Sequence, residues 1–212
     1  MRALPTWKEF FALSLLKIST RAIRINWGIL EELESQGSPF AITCSWSQTL
    51  YCFSAFKKHR FPLIEISNQG SLESFFNNWG VSVRQAPNAS ASDEEWRLFW
   101  ETTDSRSPLW IPADEHQAGE RSMGKMVAWI QKNEIPLVPV GFTSLSDPIY
   151  PLSAGLRFPY PFSRVGLWVG TPIRLENFPV DQACLEIKQA LHFPDELSRA
   201  LLLNMQEMNR TF

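Results

Sequence analysis

Side chains that could carry out acid–base chemistry come together at one point of the chain. Asp114, Glu115 and His116 follow directly after an apolar stretch over residues 109–113. An imidazole titrates near neutral pH and can act as a general base, and a nearby carboxylate can orient it. Two interpretations stay open for this cluster: a functional site at the end of a strand, or a solvated loop, which is the commoner role for such groups.

Ser47 occupies a second position with chemical potential. It follows an apolar stretch over residues 40–46, which predicts a buried strand, and begins a segment over residues 47–57 that can be helical. Side chains just beyond the carboxyl end of a buried strand face the crevice in which α/β folds bind ligands. A serine there could act as a nucleophile in a hydrolase only beside a base, and His116 is the candidate base.

Several common site motifs are missing from the sequence. There is no GxGxxG or GxxxxGK[ST] phosphate loop, and the absence of a GxSxG elbow weakens the α/β-hydrolase interpretation. Three cysteines without close pairing fit reduced thiols in a cytoplasmic compartment. Neither the cysteines nor the three histidines have metal-ligand spacing, so the sequence predicts no metal site.

The length and composition predict one globular domain over residues 1–212. Apolar residues make up 44% of the chain and charged residues 20%, which is enough to bury a core. The net charge of −2 argues against a broad nucleic-acid surface. No apolar stretch reaches the length of a spanning helix, and no signal peptide is recognisable.

Strand and helix patterns alternate along the chain and predict an α/β fold, a layered and mainly parallel sheet flanked by helices. Ser92 and Glu95 form a capping box that predicts the start of one helix. Strands are predicted over 22–27, 40–46, 61–66, 81–84, 109–113, 137–142 and 165–170, and helices over 47–57, 71–79, around 123–130, and over 180–208 as one or two amphipathic helices broken near Pro194.

The first 24 residues predict an N-terminal amphipathic helix, with its pattern clearest over residues 5–24. Apolar residues recur at helical spacing, and Lys17, Arg21 and Arg24 fall three or four apart on another face. Such a helix could lie in a membrane interface, because a wide apolar face beside basic residues suits anionic lipid. An ordinary packing helix with a solvated basic face is the alternative.

A family resemblance extends over most of the chain, from about residue 20 to residue 179. Two stretches are its clearest part. They are Ile135-Pro-Leu-Val-Pro-Val-Gly141 and Pro161-Phe-Ser-Arg-Val-Gly-Leu-Trp-Val-Gly-Thr-Pro-Ile-Arg174. The residues of these stretches, and their order along the chain, resemble those of the lysophospholipid/glycerolphosphate acyltransferase superfamily. The resemblance is to its branch of small bacterial proteins of unassigned function. Further residues that fall in register are Trp46, Gly70, Gly80, Arg84, Pro112, Asp114 and Gly124.

The resemblance implies acyl transfer to a hydroxyl of a lysophospholipid. The donor would be an acyl-thioester, either acyl-CoA or acyl-carrier protein. The resemblance implies no metal or resident cofactor. In the family a histidine after the strand tryptophan acts as general base, and an aspartate orients it. Here Ser47 follows Trp46, and Gln69 precedes Gly70. A serine hydroxyl cannot accept a proton near pH 7 and a glutamine cannot stabilise an imidazolium, so both members of the pair are replaced.

Two other positions implied by the resemblance are partly kept. Asp114 stands where the family has the aspartate of an Asp-Gly-Pro-Arg-Gly stretch. The glycine-rich turn and the arginine that follow the aspartate in the family are not kept here. Arg84 stands where the family has an arginine near the acceptor phosphate, and its fork of donors would suit a phosphate. A surface arginine at a strand end is the alternative.

These residues lead to two hypotheses, and they leave open whether the chain is an enzyme. The first is a catalytically degenerate acyltransferase-like protein on the cytoplasmic face of the membrane, where it binds the phospholipid surface, a lipid or an acyl chain, or a protein partner. The second is an active acyltransferase whose base has moved to His116, with Asp114 beside it.

Overall fold

The computed structural model describes residues 21–45, 48, 63–65, 83–87, 90–103, 108–111, 115–144, 150–151, 157–158 and 164–208. The helices predicted over 47–57 and 71–79 therefore lie outside the described residues, apart from Gln48.

The described strands form a seven-stranded sheet and a separate two-stranded hairpin. In the sheet the order is β1-β9-β6-β2-β5-β3-β4, and every pairing is parallel except the antiparallel pair β6·β9. The prediction of an α/β fold with a mainly parallel sheet is confirmed. The strands are β1 (Arg21–Ile25), β2 (Ala41–Thr43), β3 (Leu63–Glu65), β4 (Val83–Gln85), β5 (Leu109–Trp110), β6 (Leu137–Ser144), β7 (Tyr150–Pro151), β8 (Arg157–Phe158) and β9 (Arg164–Val169).

Four helices are described: α1 (Gly28–Gln36), α2 (Asp93–Glu101), α3 (Glu115–Lys132) and α4 (Val180–Met208). The capping box at the start of α2 is confirmed, because the Ser92 hydroxyl accepts from the Glu95 backbone N–H while the Glu95 carboxylate accepts from the Ser92 N–H. The C-terminal prediction is corrected: α4 is continuous through Pro194. A proline inside a helix loses its own N–H bond and its ring crowds the carbonyl four residues earlier, and here the helix nevertheless continues to Met208.

The N-terminal prediction is also corrected in part. Arg21–Ile25 is a strand that pairs in parallel with β9, from Arg21 beside Arg164 to Ile25 beside Trp168. The helix predicted over residues 1–24 cannot therefore include residues 21–24. Arg21 and Arg24 cannot form a helical stripe with Lys17, which lies outside the described residues with the rest of 1–20. The alternative strand over residues 22–27 is confirmed to within a few residues.

One face of the sheet is covered by α2, α3 and α4. Ala41 on β2 is in register with Leu109 and Leu137 on its two neighbours, and all three belong to the apolar cluster that includes residues of these helices. Successive strand side chains point to opposite faces, so the next row, Ile42 with its partner Trp110, lies on the other face and is fully buried too. The central strands β2 and β5 are therefore buried on both faces, as is usual in parallel sheets.

Aromatic rings fill the layer between α2 and α3. The rings of Trp100 and Trp129 stack with centroids 4.4 Å apart, and Trp96 and Phe99 pack on Trp100 at 5.9 and 4.6 Å. Trp96, Trp100 and Trp129 are each less than a tenth exposed. These rings pack against one another and join α2 to α3.

The antiparallel pair β6·β9 and the segment after it form a tightly bonded region that we call the seam. Gly170 donates from its backbone N–H to the Pro139 carbonyl at 2.7 Å. Leu137 and Ile173 exchange both of their backbone hydrogen bonds, at 2.9 and 2.8 Å. Residues 135–141 and 164–174, the described parts of the two stretches that carry the family resemblance, thus meet in the seam.

Candidate functional site

The described strands bring four carboxyl ends to one edge of the sheet. β2, β5, β3 and β4 lie side by side and parallel, with Ile42 beside Trp110, Trp110 beside Leu63, and Leu63 beside Val83. We call their carboxyl ends the site edge. Loops that follow parallel strands at such an edge form the ligand-binding crevice of many open α/β sheets. Of the predicted site residues, Arg84 lies on β4, and the others follow β2, β3 or β5 in sequence.

The described chain stops just short of Ser47. Thr43 ends β2 and Cys44 follows it, both fully buried, and Ser45 is half-buried. The backbone N–H of Gln48 donates to the Ser45 carbonyl at 3.0 Å. Trp46 and Ser47 themselves lie outside the described residues, as do Gln69 and Gly70 beyond β3.

His116 lies in the first turn of α3, so the interpretation of this residue as part of a loop is corrected. β5 ends at Trp110 and α3 begins at Glu115, and β5 is a direct neighbour of β2. The histidine backbone is thereby positioned beyond the strand next to the one that precedes Ser47. Asp114 lies outside the described residues, so the proposed contact between its carboxylate and the imidazole stays a prediction.

Arg84 is the predicted site residue whose side chain the structure describes. It lies on β4 and its guanidinium contacts the C-terminal end of α2. Nη1 donates to the Thr102 carbonyl at 2.6 Å, and Nη2 donates to the Thr102 hydroxyl at 2.8 Å and to the Phe99 carbonyl at 3.4 Å. The guanidinium also lies over the Phe99 ring, 4.9 Å from its centroid. A cation beside the last carbonyls of a helix stabilises that helix end, so Arg84 has a structural role.

The outer face of α2 carries charges that neutralise one another. Arg97 contacts the carboxylates of both Glu94 and Glu101, and Asp93 forms an ion pair with Lys125 of α3. The hydrogen bond that Arg97 donates and its positive charge lower the pKa of Glu94, and the hydrogen bond to the Glu94 carboxylate is the largest cause of the raised pKa of Arg97. An arginine held by two carboxylates has little attraction for a further anion, so Arg84 and Arg97 differ in what an anion would have to displace.

No protein-family model matches the chain, and no curated protein matches its sequence. The superfamily resemblance therefore stays a prediction that rests on the residues quoted for it.

Among the residues that the structure describes, no group of three or more His, Cys, Asp and Glu side chains could hold a metal ion. Within that same part of the chain, no helix is long and apolar enough to cross a membrane.

Sequence reasoning missed two features near the site edge. Thr102 contacts Arg84 from 18 residues away, and its position at the C-cap of α2 was the only local signal for a role there. Thr43, at the end of β2, is buried, and its hydroxyl oxygen has no hydrogen-bond partner among the residues that the structure describes. A polar residue at the end of an otherwise apolar stretch is the sequence signal that could have identified it.

Proposed function

We propose that the chain is a lysophospholipid acyltransferase-like protein that has lost the ordinary general-base reaction and binds a lipid or acyl chain. In this proposal it acts at the cytoplasmic face of a membrane as a peripheral protein. The ligand occupies the site edge, and phospholipid supplies the surface to which the protein binds.

One observation carries the proposal. Three strands, β2, β3 and β5, precede Ser47, Gln69 and His116, and the fourth, β4, carries Arg84. These four strands are adjacent and parallel, so the chain beyond each of them begins at the same edge. That arrangement suits a single crevice built from several loops. The sequence supplies the second part of the argument, because neither Ser47 nor Gln69 can perform the proton transfer that the resemblance implies for those positions.

The direct test incubates the purified full chain with acyl-CoA or acyl-carrier protein and a lysophospholipid, with mass spectrometric detection of product. We expect no turnover above the protein-free reaction. We also expect a photoactivatable lysophospholipid to label peptides adjoining β2 and β5, and unlabelled lipid to compete. Labelling that ignores the competitor, or that avoids both peptides, would contradict a lipid site at this edge.

A constructive variant tests the assigned loss. Ser47→His together with Gln69→Asp restores a base and its orienting carboxylate, a function typically worth about 10²- to 10⁴-fold in rate. We expect acyl transfer to become measurable in the double variant. Ser47→His alone is the matched control, because its imidazole lacks the carboxylate partner and should give much less activity.

An active acyltransferase with a relocated base is the alternative, and the position of α3 favours keeping it. The helix that carries His116 begins beyond β5, next to the strand that precedes Ser47. In this alternative Asp114 orients the imidazole, which takes the proton of the acceptor hydroxyl. Turnover by the wild-type chain that disappears in His116→Ala would establish this alternative and overturn the degenerate one.

A further inference from the structure

Thr43 is the last residue of β2, at the site edge, and only 1% of it is exposed. Because the side chains of a strand alternate between the two faces of a sheet, Thr43 lies on the same face as Ala41. That is the face that α2, α3 and α4 cover. Ser45, two residues further on, is half-buried. The Thr43 hydroxyl is therefore enclosed, but it lies close to the point where the chain leaves the core.

The neighbours of Thr43 in the sheet offer its hydroxyl no polar side chain. Pro139 of β6 is in register with Thr43, and on the β5 side the corresponding residue is Ile111, which follows the pair of Ile42 and Trp110. Proline and isoleucine side chains carry neither a donor nor an acceptor. Within the described part of the chain, the Thr43 hydroxyl has no hydrogen-bond partner.

A second buried threonine has the usual arrangement. Thr103 is 7% exposed, and its hydroxyl donates to the Phe99 carbonyl at 2.8 Å. A buried hydroxyl without such a partner lowers the stability of the folded chain, because the hydrogen bonds it made to water are not replaced. Valine has the same branched shape and would avoid this loss at position 43. Packing alone therefore does not account for a threonine there.

The surroundings of Thr43 select the kind of ligand group that its hydroxyl could bind. A phosphate or carboxylate would be buried against Pro139 and Ile111, neither of which carries a positive charge, and burial of an unpaired charge is strongly unfavourable. A neutral acceptor that continues into an apolar chain fits better. The carbonyl oxygen of an acyl ester can accept from the hydroxyl while the chain packs against apolar side chains.

We propose that Thr43 is a ligand-binding residue of the site edge, and that its hydroxyl donates a hydrogen bond to the ester carbonyl of a bound acyl lipid. This inference rests on the proposed function for the lipid, and it names the neutral ester as the group that the chain recognises. The hydroxyl that is unpaired in the free chain gains its hydrogen bond when the ester is bound.

A pair of ligands tests this hydrogen bond. Ester-linked lysophosphatidylcholine and its ether-linked analogue, which lacks the carbonyl, each compete with the photoactivatable lysophospholipid for the full chain, below the concentration at which they form micelles. We expect the wild-type chain to bind the ester about fivefold more tightly than the ether, the contribution of one hydrogen bond. Thr43→Val should bind the two ligands equally.

Thermal unfolding of the ligand-free chain gives a second measurement. Thr43→Val removes an unpaired hydroxyl, so it should raise the unfolding midpoint by about 3 °C. Thr103→Val is the matched control, because it removes a buried hydroxyl that has a partner. The control should lower the midpoint and leave the preference for the ester at its wild-type value.

Two results would overturn the proposal. The first is a midpoint lowered by Thr43→Val, since the hydroxyl would then be paired in the free chain, as with a buried water molecule. The second is a preference for the ester that is the same in the wild type and in Thr43→Val. Failure of the proposed function differs from both, because neither the ester nor the ether would then displace the photoactivatable lipid from the wild-type chain, and both proposals would fall.

Discussion

The seam and the site edge lie in the same sheet but differ in what their sequences do. In the seam, the residues that resemble the acyltransferase superfamily make close backbone contacts: Gly170 bonds to Pro139, and Ile173 pairs with Leu137. Beyond β2 and β3, whose carboxyl ends belong to the site edge, the positions that the resemblance would make catalytic are Ser47 and Gln69 in the sequence. The two stretches that match best thus meet where the chain packs, and both replaced positions follow strands of the site edge.

A sequence resemblance in the seam supports the architecture of the sheet, whereas a resemblance beyond the parallel strands would bear on activity. The glycine and prolines of the seam have a physical reason to recur in any chain that closes β6 on β9, whatever reaction follows. A match at these positions therefore supports the sheet architecture and carries no information about catalysis. Only the residues beyond the parallel strands can decide activity, and those are the ones that the proposed experiments change.

Gly170→Ala, in the seam, should lower the free energy of unfolding more than any other substitution considered. A Cβ there would lie 2.7 Å from the Pro139 Cγ and 3.1 Å from the Pro139 carbonyl oxygen, and neither a proline ring nor backbone can move away cheaply. We expect the free energy of unfolding to fall by about 3 kcal/mol, as for severe overpacking. Urea unfolding followed by circular dichroism measures this loss.

Gly28→Ala is the matched control for that substitution. A Cβ at Gly28 would meet no atom within 4 Å, and the residue begins α1, where alanine is the better helix former. It should leave stability unchanged or raise it slightly. Equal losses for both glycines would mean that the seam has no special packing requirement.

Arg84→Gln addresses the site edge. It removes the cation from the last turn of α2 but leaves Phe99 and Thr102 bonded within the helix. We expect a loss of about 1.5 kcal/mol, since the charge-assisted bonds are solvent-exposed. Differential scanning calorimetry should show a smaller change than for Gly170→Ala. A loss of stability as large as that of Gly170→Ala would mean that Arg84 is part of the core.

Local patterns predicted the fold better than patterns that compete with distant contacts. The capping box of Ser92 and Glu95 was predicted because its partners are three residues apart. Arg21 and Arg24 have helical spacing, but β9 recruits them into a strand from far along the chain. Likewise, the contact of Arg84 with Thr102 joins two elements, so neither sequence neighbourhood could reveal it.

Ser92→Ala tests the N-terminal end of α2, which the site edge does not involve. The substitution removes the acceptor for the Glu95 N–H, and loss of an N-cap costs about 1 kcal/mol. Urea unfolding should show this loss. An unchanged free energy of unfolding would mean that the cap contributes nothing to the stability of α2.

The same capping box gives stability a dependence on pH. The hydrogen bond from the Ser92 backbone N–H, helped by the Ser92 hydroxyl, lowers the pKa of Glu95 from its ordinary value of 4.5. Folding therefore favours the carboxylate, so this stabilisation is present above the ordinary pKa and is lost as pH falls through the lowered one. Glu95→Gln should reduce the loss of stability that occurs as pH falls from about 5 through the lowered pKa. An identical pH profile in the variant would contradict this assignment.

Glu134→Gly should give the smallest effect and the opposite sign. After α3 the Ile135 N–H donates to the Ile130 carbonyl and the Glu134 N–H donates to the Gln131 carbonyl, which is a Schellman ending. Glu134 has a φ of 52°, and Gly37 ends α1 at a φ of 63°. Because a Cβ is disfavoured at such angles, Glu134→Gly should stabilise the chain by about 0.7 kcal/mol, and Gly37→Ala should destabilise it by a similar amount. Thermal unfolding of the pair decides the matter: if both substitutions shift the midpoint in the same direction, backbone strain does not control these two helix ends.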